Sequence, residues 1–134
     1  RYDDCVRFCD QHHLQDSVHF LGSRSDVPQI LRQLDAFVYA TDHDTFGIAV
    51  VEAMAAGGPV FVNDYEGMTE ITHHGEWATL YRTGNTEDLW RHFKAFIQNR
   101  ETAQLQTRQI ASQVRQHYSI AHHLQQLYDV YRTL

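Results

Sequence analysis

Four short apolar runs punctuate the chain: Val18-His19-Phe20-Leu21, Ala36-Phe37-Val38-Tyr39-Ala40, Val60-Phe61-Val62 and Ala78-Thr79-Leu80-Tyr81. Between them lie stretches whose apolar residues recur at helical spacing. Strands this short and this apolar are strands buried on both faces, and strands separated by helices form βαβ units. The alternation therefore predicts an α/β fold, a Rossmann-like parallel sheet with right-handed crossovers and helices on both faces. The spacing predicts a helix over residues 1–14, with Tyr2, Cys5, Val6 and Cys9 on its apolar side. A second starts at Asp26 as cap and carries Val27, Ile30, Leu31 and Leu34. A third runs over residues 46–56 until Gly57-Gly58-Pro59 stops it, and a short one over residues 67–73. From Thr86 onward the pattern is helical to the end, giving C-terminal helices beyond the sheet.

Composition narrows the function. A chain of 134 residues, 43% hydrophobic, is long enough for one domain with a real core. Its net charge is −6, and Lys94 is the only lysine among eleven basic residues, so the basic face that nucleic-acid binding needs is missing. No run approaches the roughly 18 apolar residues of a membrane span, and no signal-peptide core is present. Cys5 and Cys9 do not make a disulfide framework, which favours a reducing, cytoplasmic setting. The first residue, Arg1, already stands in helical pattern, so a longer parent protein is expected.

In an open parallel sheet, ligands bind beyond the carboxyl ends of the strands. The turn Thr41-Asp42-His43-Asp44 follows the second run and leads into the third helix, with Asp44 or Thr45 as N-cap and Gly47 allowing close backbone approach. Unsatisfied N–H groups and the helix dipole make such an end suited to a phosphate or diphosphate. Glu52 is the only ionisable residue between Phe46 and Ala56. A helix apolar all round is expected to be buried, and a buried carboxylate needs a partner, either a protein donor or a pair of ligand hydroxyls. Roughly 9–12 Å from the helix start, it stands where the ribose of a nucleotide would lie if the diphosphate sat at the helix N-terminus.

The run Asp44-Thr45-Phe46-Gly47-Ile48-Ala49-Val50-Val51-Glu52-Ala53-Met54-Ala55-Ala56-Gly57-Gly58-Pro59-Val60 resembles the donor-site signature of the group 1 family of retaining, nucleotide-sugar-dependent glycosyltransferases. The likeness continues through Asp64-Tyr65-Glu66-Gly67-Met68-Thr69-Glu70, Gly75-Glu76 and Gly84-Asn85-Thr86-Glu87-Asp88-Leu89. Upstream it takes in residues 18–22 and 35–39, and downstream Tyr118-Ser119 to Tyr128. It implies the C-terminal, donor-binding half of a two-domain GT-B enzyme, acting in glycan or polysaccharide biosynthesis. By the same resemblance Asp44 is the first, catalytic acid, facing the donor sugar. Glu52 takes the ribose hydroxyls, the backbone at Phe46, Gly47 and Ile48 lies by the diphosphate, and Glu70 stands near the sugar. The loop at residues 22–25 is similar to one that passes the nucleobase. The donor is then a nucleotide diphosphate sugar, with no separate cofactor and no metal. The acceptor, a glycan or lipid-linked molecule, is implied to bind an N-terminal domain that precedes Arg1, as do this domain's first strand and helix with their diphosphate-gripping Arg and Lys. The fragment alone should be inactive. A cytoplasmic protein, peripheral to the inner membrane face through that missing part, is implied as well. Two departures stand out: Asp44 is one methylene shorter than the usual Glu, and Glu66 replaces the first glycine of the family's Gly-Gly turn.

Other features read more plainly. Asp42-His43-Asp44 contains the Asp-x-Asp of metal-dependent transferases, but the helix beyond it suits the donor-site reading better. Cys5, Cys9 and His13 share one helix face with the core stripe and read as buried thiols rather than zinc ligands. The pairs His12-His13, His73-His74 and His122-His123 lack metal-ligand spacing and read mostly as surface residues. Trp77, Trp90, Phe93 and Phe96 read as core. The alternative function is a non-catalytic Rossmann-like nucleotide-binding or regulatory module.

Overall fold

The computed structural model describes residues 2–43 and 46–133. Its elements are α1 (Tyr2–Gln11), α2 (Val27–Leu31), β1 (Phe37–Tyr39), α3 (Ile48–Ala56), β2 (Val60–Asn63), α4 (Met68–Ile71), β3 (Thr79–Tyr81), α5 (Thr86–Gln98), α6 (Arg100–His117) and α7 (Ile120–Arg132). The three strands form one parallel sheet in the order β1-β2-β3, with Phe37 opposite Val60 and Phe61 opposite Thr79.

Successive strand residues point to opposite faces, and β2 is buried on both. Val60 and Val62 pack with Val50, Met54, Met68 and Val114 from α3, α4 and α6. Phe61, between them, packs on Tyr81 and on Phe96 of α5. Each face thus has its own core, as the unbroken apolar run required. β2 is the sheet's centre, and everything at its carboxyl end is held from both sides.

Helix α3 is fixed at both ends by glycines in the left-handed region, Gly47 at φ 65° and Gly57 at φ 90°. Gly57 donates to the Met54 carbonyl at 3.1 Å, ending the helix. Helix α6 lies across this helix end and is tied to it by side chains. The Thr107 hydroxyl donates to the Gly57 carbonyl at 2.9 Å, and Arg115 donates to the Ala55 carbonyl at 2.7 Å.

Several expectations are corrected. Residues 18–21 form no strand, and Phe20 and Leu21 lie exposed. A strand needs a neighbour, and none of the three strands pairs with this run. Helix α3 begins at Ile48 rather than Phe46, its N-cap is Gly47, and Asp44 and Thr45 lie outside the described residues. Asp26 does occupy the N-cap of α2, but its carboxylate caps nothing: Arg24 grips it through two hydrogen bonds of 2.7 Å. Cys9 is buried and Cys5 exposed. Trp77 and Phe96 are core, whereas Trp90 is half exposed. No helix among the described residues is long and apolar enough to cross a membrane.

Candidate functional site

The carboxyl ends of the three strands are laced together by side chains. Asn63, buried at the end of β2, accepts from the Thr41 N–H at 2.9 Å and donates to the Thr41 carbonyl at 2.8 Å and the Thr83 hydroxyl at 3.0 Å. Asp64 beside it accepts from the Thr83 N–H at 2.7 Å and from its hydroxyl at 2.8 Å, and these bonds hold its carboxyl below the usual value. The Tyr81 hydroxyl donates to the Tyr39 carbonyl at 2.9 Å. Loops after β1, β2 and β3 therefore move as one floor, which borders a cavity of about 480 Å³ lined by Thr41, Asp42, Asn63 and Thr83.

Helix α3 has Gly47 as its N-cap, a residue that brings no capping side chain of its own, and its first-turn N–H groups carry the positive end of the helix dipole. Gly47 is required here for two reasons. Its φ is positive, and a Cβ on it would stand 2.9 Å from both Met68 Cε and Sδ and 3.0 Å from Ile71 Cδ1. The glycine thus lets α4 pack directly beneath the start of α3.

Glu52 is exposed, contrary to the expectation of a buried carboxylate seeking a partner. Helix α3 is not covered all round. Val50, Ala53 and Met54 face the core, while Ile48, 64% exposed, and Glu52 one turn later form an open stripe. With the helix starting at Ile48, Glu52 lies about 6 Å along the axis from its first residue, closer than the sequence suggested. A carboxylate on this stripe needs no internal donor and is available to a ligand.

Phe46 and Glu70 meet in a second cavity of about 430 Å³, whose walls also include Gly67, His73, His117 and Tyr118. Glu52 does not line it. Phe46 meets the ring of Tyr118 edge-on, with centroids 6.4 Å apart. The turn leading to Glu70 contains Glu66 at φ 35°, a left-handed conformation unusual for a residue with a Cβ. That strain falls where the resembling family has glycine. At residues 22–25, the stretch likened to a nucleobase loop, Gly22 takes φ 65° and Arg24 pairs with Asp26.

Asn63, Asp64 and Thr83 were missed from sequence. Asn63 carried a usable signal, being the lone polar residue at the end of an apolar run, the same signal that singled out Glu52. Of the paired histidines, His12, His13, His74 and His123 are exposed, as expected of surface residues, whereas His73 and His122 are partly covered. His73 stacks on Trp77 with centroids 3.6 Å apart, and His117 meets His73 at 4.9 Å and His122 at 5.4 Å. Burial, and then the neighbouring His73 and His122, hold the His117 imidazole below its usual value. Among the described residues no group of three or more His, Cys, Asp or Glu is placed to hold a metal ion. Asp42 pairs with His43 at 3.2 Å.

A family model described as glycosyl transferases group 1 matches residues 3–113. An N,N'-diacetylbacillosaminyl-diphospho-undecaprenol alpha-1,3-N-acetylgalactosaminyltransferase of Campylobacter jejuni is 38% identical over 76 residues, covering 54% of this chain and 19% of its own. An N-acetyl-alpha-D-glucosaminyl L-malate synthase of Bacillus anthracis is 32% identical over 74 residues, covering 55% of this chain and 19% of its own. The chain thus spans about a fifth of the length of these relatives. Among solved structures, Anabaena HepE in complex with UDP superposes with a TM-score of 0.89 at 24% identity, over 99% of this chain and 37% of that one. Sucrose-phosphate synthase of Thermosynechococcus elongatus follows with 0.84 at 18% identity, over 96% and 33%. These likenesses show the fold, a Rossmann-like α/β domain of GT-B type.

Proposed function

This chain belongs to the glycosyl transferases of group 1, and from that membership we propose that it is the donor-binding portion of a retaining enzyme that moves a sugar from a nucleotide diphosphate to an acceptor hydroxyl in glycan biosynthesis. The observation that carries the proposal is Glu52, a lone exposed carboxylate one turn into an otherwise apolar helix that starts from a glycine N-cap. An anion at that N-terminus and a hydroxyl pair at Glu52 are what a diphosphate and its ribose offer together. HepE was solved with UDP and with UDP-glucose, which supports a nucleotide-sugar donor for a domain of this shape.

In the reaction, negative charge grows on the leaving diphosphate. Fixed N–H groups at the α3 N-terminus would stabilise it without reorganising, which makes this half's contribution electrostatic. The nucleotide sugar is itself the co-substrate, so the reading calls for no further cofactor. Asp44, matched to the family's first acid, would face the sugar, with Glu70 beside it. The acceptor would bind a part of the protein outside this chain, lipid-linked acceptors bringing the enzyme to a membrane surface.

Ligand-observed NMR against UDP, GDP, ADP and CMP, repeated with Glu52→Gln, tests the proposal. One nucleotide should give a signal, and the variant should weaken it by about tenfold, the loss of a charged hydrogen bond of about 1.5 kcal/mol or more. Unchanged affinity in Glu52→Gln would remove the ribose role. Silence for all four in the full-length protein would favour a non-catalytic module.

A further inference from the structure

We infer that Tyr118 is a positioning residue for the donor sugar, setting the place of Glu70 from the junction between α6 and α7. The inference rests on the donor-site reading above, in which Glu70 stands near the sugar. Tyr118 lies far from Glu70 in sequence, and sequence reading gave it no role beyond the start of a closing helix.

The geometry runs through α4. This helix is a single turn, Met68–Ile71, too short to hold itself in place. It is held from below by Met68 and Ile71, which pack against the bare backbone of Gly47. From above, the Tyr118 hydroxyl donates to the carbonyl of Ile71, its last residue, at 2.9 Å. The carbonyls of a final helical turn have no partner within the helix, and this one is satisfied by a side chain 47 residues away. Glu70 is the residue just before that carbonyl. Its carboxylate is near enough to Tyr118 to add to burial in raising the phenol above its usual value. The same ring meets Phe46 edge-on, and Phe46, Glu70 and Tyr118 share one cavity.

Tyr118 itself is anchored by the helix it ends. As C-cap of α6 its N–H donates to the Val114 carbonyl at 3.0 Å, and Val114 is fully buried in the core under β2. The junction is therefore a rigid post, and the hydroxyl transmits its position to Glu70. On the donor-site reading the diphosphate is held at the α3 N-terminus, and a variant that keeps the Tyr118 ring keeps its edge-on contact with Phe46 there. Losing the hydroxyl should loosen the grip on the sugar and leave the grip on the diphosphate alone.

The test uses the full-length protein and isothermal titration with UDP and UDP-glucose, or GDP and GDP-mannose if the nucleotide screen selects guanine. Tyr118→Phe keeps the ring and removes the bond. It should leave the Kd for the diphosphate within twofold and weaken the nucleotide sugar five- to tenfold. Glu70→Gln should show the same split, and the double variant should lose no more than Glu70→Gln alone, because the two act through one contact. Additive losses, or equal weakening of diphosphate and nucleotide sugar, would reduce Tyr118 to a general structural residue and overturn the inference. So would an unchanged nucleotide-sugar affinity. Diphosphate titration on the same samples reports the binding-competent fraction, so partial unfolding of a variant is visible. Glu52→Gln serves as the reference: if it retains full diphosphate affinity, the donor-site reading has failed rather than the role of Tyr118.

Discussion

Residues 18–21 and residues 60–62 look alike as sequence, each a short apolar run between turn residues, yet they end in opposite environments. Val60, Phe61 and Val62 are the centre of the sheet, paired on both sides and no more than 2% exposed. Val18, Phe20 and Leu21 pair with none of the three strands, and their exposures run from 38% to 54%. Phe20 touches the ring of Tyr2 edge-on at 5.3 Å, the run's one aromatic contact among the described residues. Strand propensity measures fit to a pleated, covered surface, not an intrinsic state of the backbone. What differs is the neighbour. Residues 60–62 follow a helix that returns them beside β1, whereas residues 18–21 are followed by α2, which delivers the chain to β1 without any ladder between them.

The largest effect expected from this contrast is in the cores. Phe61→Ala removes a ring that meets Phe93 and Phe96 at 5.4 and 5.6 Å and should cost about 3–5 kcal/mol in urea unfolding. Phe20→Ala should cost less than about 1 kcal/mol. Equal losses would break the comparison, since they would show residues 18–21 to be as deeply engaged as β2. A sharper version uses two glycines of equal φ. Gly47 and Gly22 both take φ 65°, but a Cβ on Gly47 meets Met68 at 2.9 Å while one on Gly22 meets nothing within 4 Å. Gly22→Ala should therefore show only the left-handed penalty, about 1 kcal/mol. Gly47→Ala should add the displacement of α4, for about 2–4 kcal/mol in all, and should weaken nucleotide-sugar binding as well.

Much of this fold is written in local pattern, and what is not has a common cause. The runs that became β1, β2 and β3, the arrest of α3 at Gly57 and the helices after Asn85 all follow from period, caps and breakers within a few residues. Glu52 was correctly singled out as an oddity, but its surroundings were not: apolar content in α3 says that the helix is mostly covered, and cannot show that Ile48 and Glu52 form an open stripe. The break at Tyr118-Ser119 is local too, since Ser119 caps α7 by accepting from the His122 N–H at 3.1 Å, whereas the join of α5 to α6 at Asn99 was not singled out. Asn63 and Tyr118 act on partners 22 and 47 residues away. Such pairings belong to the tertiary fold, and no spacing rule reaches them. Asp44, the acid matched to catalysis, falls between the described segments.

The smallest expected effect concerns protons. His73, His117 and His122 arrive from α4's end, α6 and α7 to form one cluster, with Trp77 and Tyr118 as ring neighbours and Glu70 on the same cavity wall. His117 is held below its usual value, so near that value the unfolded chain binds a proton that the folded chain refuses. Stability contributed by the neutral, packed imidazole is therefore complete above about pH 6.5 and declines as pH falls below it. Asp88 behaves oppositely and lower down. Arg91 at 2.5 Å, and then the Arg82 N–H at 2.8 Å, hold its carboxyl down to about 2, so its contribution is lost only as pH falls below the ordinary carboxylate range. Melting curves between pH 7.5 and 5.5 should thus show a falling Tm that His117→Phe flattens and Asp88→Asn leaves in slope. If His117→Phe keeps the full slope, the proton uptake lies elsewhere, and the packed cluster at the α6–α7 junction does not control how acid loosens the protein.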